Sequence, residues 1–138
     1  MGKLGAFLDT LNLLSGVSAR HNRALRDAND CAGTIQKFLT TYDLYGSSNF
    51  GLLLENVGKA KFDLTAIAYR ARLLIKTVKN IKGQQVSPLI SEIVTSVENL
   101  RRALIDPSLY GENLSEVILS FRISFEKLQD ALSDIEYL

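Results

Sequence analysis

Histidine and cysteine are the side chains best suited to chemistry near neutral pH, and this chain of 138 residues carries one of each, His21 and Cys31. Both fall on the apolar stripe of one helical pattern, ten residues apart. Along a helix that spacing is about 15 Å, too far for the imidazole to take the thiol proton. One histidine cannot furnish the paired Glu-x-x-His motifs of a di-metal helical bundle, nor can one histidine and one cysteine complete a structural zinc site. Around His21 the chain reads ARHNRALR, without the lysine and glycine expected soon after a phospho-accepting histidine. No phosphate-binding loop, nucleophile elbow or dinucleotide fingerprint occurs. These residues predict no enzyme, no metal, no cofactor and no small-molecule substrate. His21 is expected to be packed at the end of a core.

Composition narrows the classes further. Hydrophobic residues make up 46% and charged residues 22%, ordinary for a soluble globular domain, and the length suits one domain over residues 1–138. A formal net charge of +1 lacks the basic excess of a general nucleic-acid binder. The lone cysteine gives no sign of an oxidising compartment. No apolar run approaches the ~18 residues of a membrane span. Residues 1–17 carry Asp9 and no clean cleavage site, unlike a signal peptide, and Ala6 stands where a myristoylation motif wants serine or threonine. A cytoplasmic protein is expected.

The remaining signals are helical. Apolar residues recurring every three or four positions predict helices over roughly 3–14, 19–41, 49–82, 88–105 and 113–137. Ser15-Gly16-Val17-Ser18 is expected to separate the first two, and Asp43 to Asn49 to turn the chain, with Ser48 or Asn49 as N-cap. The stretch from Asn49 to Lys82 is the longest pattern, and Gly83 follows it as a left-handed cap. Ser87-Pro88 reads as N-cap and first helical residue. Asp106-Pro107 reads as a stop, and Asn113 to Glu116 as a capping box. Short loops between such helices predict an all-α, antiparallel up-down-up-down four-helix bundle with an additional short N-terminal amphipathic helix. Lys76, Lys79 and Lys82 would then share a pole with Asp130, Asp134 and Glu136.

Three surfaces of these elements could bind something. Leu4, Phe7, Leu8, Leu11 and Leu14 form one stripe of a helix too short to stand alone; it must dock on the bundle, a second subunit or a membrane. Lys61, Arg72, Lys76 and Lys79 project on one flank of the long helix, where they could meet an anion or lipid. A solvated shoulder is the blander account, since the other flank has only Lys59 and Arg70. The sharpest anomaly is Phe62, Tyr69 and Leu73, opposite the main apolar stripe with Ala66 between them, and more weakly Leu119 and Ile123 on the last helix. A helix apolar on two faces is either covered on both or presents a contact surface. The expected function is a non-enzymatic protein–protein interaction or oligomerisation module, with a protein partner or homo-oligomer. The alternative is a membrane-associating bundle that inserts the 3–14 helix.

Overall fold

The computed structural model describes residues 2–46, 50–106 and 113–138, with side chains from Gly16 onward. It is all-helical, with no strand among the described residues. The elements are α1 (Gly2–Thr41), α2 (Gly51–Glu55), α3 (Val57–Ile75), a 3-10 turn (Val78–Asn80), α4 (Ser87–Ile105) and α5 (Asn113–Ser133). Helix α1 packs on α3, on α5 and on the 3-10 turn, while α4 packs on α3 and α5. Thus α3 and α5 each lie between α1 and α4.

The expected break at residues 15–18 does not occur: α1 is one helix of 40 residues. A lone glycine costs a helix about 1 kcal/mol but does not redirect the backbone, and no proline accompanies Gly16. The side chains of Leu4, Phe7, Leu8, Leu11 and Leu14 lie outside the described residues. Helix α1 ends in a Schellman-type turn. The Leu44 amide bonds back to the Leu39 carbonyl (2.9 Å) and the Asp43 amide to that of Thr40 (3.2 Å). Asp43 supplies the left-handed residue (φ 52°) that this turn requires.

In the stretch from Asn49 to Lys82, expected as the longest helix, the described residues form three pieces instead. Asn56 interrupts it at φ −126°, ψ 37°. Its side-chain amide donates to the Leu52 carbonyl (2.8 Å), a local bond that competes with the helical ladder. At the far end the Thr77 amide bonds to Leu74 rather than to the carbonyl four residues back, tightening the chain into the 3-10 turn. Gly83 then adopts φ 105°, the positive φ that the sequence assigns to it. The expected caps Ser48 and Asn49 lie outside the described residues. Helix α4 begins at Ser87 itself, one residue earlier than expected, with Val86 in the N-cap position, and α5 begins at Asn113. Asp106 leaves helical geometry just before proline, as the stop signal implies.

The inward stripes meet in one hydrophobic core. Leu25, Ile35 and Leu39 from α1, Leu64 and Ile67 from α3, Ile93 and Leu100 from α4, and Phe121 and Phe125 from α5 are all shielded from solvent. Phe38 meets Phe121 edge-on (centroids 5.9 Å apart), joining α1 to α5. Burying side chains of this size contributes about 1.5–3 kcal/mol each, so the four inward faces hold the helices together.

Candidate functional site

His21 and Cys31 are both buried. His21 is 1% exposed. Its Nδ1 accepts from the Lys82 backbone amide (2.8 Å), which leaves the ring proton on Nε2, donated to the Glu136 carbonyl (2.8 Å). One neutral imidazole thereby ties α1 to the segment after α3 and to the C-terminal tail. Beside it, Asn22 exchanges two hydrogen bonds with the backbone of Leu138, at 2.8 and 3.0 Å. These bonds explain why α5 ends at Ser133 rather than near 137: the last residues leave the helix to meet α1. Asp130 and Asp134 at the negative end of the α5 dipole also disfavour its continuation.

Cys31 is buried and unpaired. Burial pushes its thiol up to about 11, against a smaller opposite pull from Arg70. Burial thus favours the thiol over the more nucleophilic thiolate at neutral pH. Tyr42 donates to Asp63 Oδ2 (2.9 Å), fastening the end of α1 to the start of α3. Burial first, then that hydrogen bond and the carboxylate charge, push the phenol up to about 12. Among the described residues no three His, Cys, Asp or Glu side chains converge as a metal-holding group. No helix among them is long and apolar enough to cross a membrane.

The outer faces are different. On α3 the inward residues Ala60, Leu64, Ile67, Ala68 and Ala71 are buried. Helical spacing sends Phe62, Tyr69 and Leu73 to the opposite side, where they are 73%, 66% and 57% exposed. Ala66, between them, is exposed as well. With Lys59 and Lys76 at its ends this row advances by alternate steps of three and four, the spacing of a coiled-coil seam. A cleft of about 260 Å³ between α1 and α3, lined by Phe38, Lys59, Asp63 and Ala66 among others, runs along its edge.

Leu119 and Ile123 on α5 are 49% and 41% exposed. They do not join the α3 row, because α3 and α5 sit on opposite sides of the helix ring. The basic flank is also divided. Arg72 pairs with Glu98 of α4 (2.8 Å), and Glu98 also holds Arg101 (2.7 Å). Lys76 and Lys79 are exposed and Lys61 is half-buried. On the other flank Arg70 donates to Thr34 of α1 (3.1 Å).

Two features escape sequence reasoning. One is the His21 junction, whose partners are backbone atoms. The other is a buried hydrogen bond between Ser96 of α4 and Ser124 of α5 (2.9 Å). Serine on the inner side of two helices is its only sequence signal. No protein-family model matches the chain, and no curated protein or solved structure matches it either.

Proposed function

We propose that this chain is a non-enzymatic protein–protein interaction module, an antiparallel up-down-up-down four-helix bundle that binds through the outer face of α3. One observation carries the reading: Phe62, Tyr69 and Leu73 are all more than half exposed, in register, on a helix whose other face is fully occupied by the core. Isolated apolar side chains on a surface are ordinary, but an aligned row with two aromatics is the composition of an interface centre. Short connections and the ring of neighbouring helices support the bundle topology. The unpaired Cys31 fits a reducing compartment such as the cytoplasm. The membrane alternative rests on the stripe of Leu4, Phe7, Leu8, Leu11 and Leu14, aided by nearby basic residues. Equal liposome binding by the full chain and by one starting at Ser15 would dismiss it.

The test uses a photo-crosslinking phenylalanine analogue in place of Tyr69, expressed in the source cells. A covalent adduct to a protein chain is expected. The adduct should disappear when Leu73→Lys is added, while helical content is kept and unfolding free energy stays within about 0.5 kcal/mol of the parent's. If Leu73→Lys unfolds the protein, the face is core and the reading fails. Absence of any adduct also defeats it.

A further inference from the structure

The outer seam of α3 runs Lys59, Phe62, Ala66, Tyr69, Leu73, Lys76. Across the molecule, the outer seam of α5 runs Glu116, Leu119, Ile123, Glu126, Asp130, with the same alternation of three and four. Each seam has an apolar middle and charged ends, and the charges are opposite. All eleven of these residues are exposed. Lys59 and Lys76 have no ion pair among the described residues, nor do Glu116, Glu126 and Asp130. The seams are about 25 and 21 Å long, so one can lie along the other.

We infer that the occupant of the α3 face is the α5 face of a second copy of this chain, joined head to tail. This rests on the reading of α3 as a docking face and names its partner. An antiparallel register sets Leu73 on Leu119 and Tyr69 on Ile123, with Lys76 against Glu116; Phe62 lies beside Asp130, and Lys59 reaches back to that carboxylate from about one turn further along. The small Ala66 leaves room for Glu126 to pass. Pairing α3 with α3 would instead set Lys59 against Lys76, with Arg70 adding like charge, which opposes a symmetric dimer. An anionic membrane would suit the lysines of α3 but leaves the acidic, apolar seam of α5 unused. The two seams face away from each other across the ring, so each bound copy leaves one seam free at either end. Such a contact does not close as a dimer; it grows a ring or an open filament. Two narrow seams make a small interface, at the low end of those that hold in solution, so assembly is concentration-dependent and weakened by salt.

Blocking one seam at a time tests this. The wild-type chain should rise above dimer mass by sedimentation velocity as concentration approaches about 1 mM, and fall back as salt is raised from 50 to 500 mM. A chain carrying Tyr69→Lys and Leu73→Lys should be monomeric, as should one carrying Leu119→Lys and Ile123→Lys. Mixed in equal amounts, the two should form a dimer and nothing larger, because each retains one working seam. Where a lysine variant loses helical content, the charge reversal Lys59→Glu with Lys76→Glu replaces it for α3, and Glu116→Lys with Asp130→Lys for α5. A monomeric wild type overturns the inference. So does an α5-blocked chain that still dimerises, which would mean α3 meets α3, or a mixed sample that stays monomeric. Binding to vesicles of anionic phospholipid without self-association also overturns it. If the adduct at position 69 joins a different protein, the docking face stands and the second copy does not.

Discussion

The His21 junction and the outer face of α3 treat mismatched surface in opposite ways. At the junction, the imidazole is taken out of water and both its nitrogens find partners, Nδ1 with Lys82 and Nε2 with Glu136, while the Asn22 amide meets Leu138 at the exposed edge. On α3, apolar side chains are left in water and none finds one. An unmatched polar group inside a protein costs about 1–3 kcal/mol, so the junction must be complete for the chain to fold as it does. An exposed apolar row costs the monomer little. It becomes useful only when another surface removes it from water. The first region therefore carries stability and the second carries availability, and substitutions should separate the two.

The largest separation is expected at His21. Replacing it with alanine removes the common partner of the Lys82 amide and the Glu136 carbonyl, and each segment loses its bond to the ring. A loss of about 2 kcal/mol is expected in urea unfolding, with self-association per folded molecule unchanged. If His21→Ala left stability intact, the junction would be a consequence of the fold rather than a support of it.

Ser96 and Ser124 sharpen the same contrast at smaller amplitude. Ser96→Ala strands the Ser124 hydroxyl in the core and should cost about 1–2 kcal/mol. Changing both to alanine removes the need for a partner, so the double variant should be more stable than either single one. Additive losses, measured by a double-mutant cycle, would show that the hydroxyls make other bonds.

What the sequence disclosed follows the same division. The buried stripe of α1 from Leu25 to Leu39 and that of α4 from Ile90 to Leu104 are legible because burial repeats with the helix. The outer row of α3 is legible for the same reason, as a second stripe where one suffices. Helix limits were less legible. Gly16 and the serines around it resemble a terminus, yet a propensity penalty is not a stop. Asn56 resembles an ordinary surface position, yet its side chain takes the Leu52 carbonyl. Sequence pattern therefore misjudged which helix is longest. The His21 junction could not be read at all: its partners are main-chain atoms of residues 61 and 115 positions away, and every residue has those.

Glu98 lies between the two kinds of surface and should give the smallest effect. It holds Arg101 within α4 and reaches across to Arg72, which flanks the exposed row of α3. The hydrogen bond from Arg101 is the main cause that holds its carboxyl below the ordinary value of 4.5; burial opposes this, and Arg72 adds to it. Because the folded-state value is depressed, its contribution is present above the ordinary carboxylate range. It disappears as pH falls through the folded-state value. Both arginines are more than a third exposed, which limits the effect to under about 1 kcal/mol. Glu98→Gln should thus melt slightly below wild type at pH 7, with the gap closing as pH falls below 4.5. A gap that persists in acid would trace to packing rather than charge. The same substitution releases Arg72 beside the α3 seam. If that seam meets the acids of α5, Glu98→Gln should hold or strengthen self-association while it weakens the fold, which is the separation of stability from availability within a single side chain.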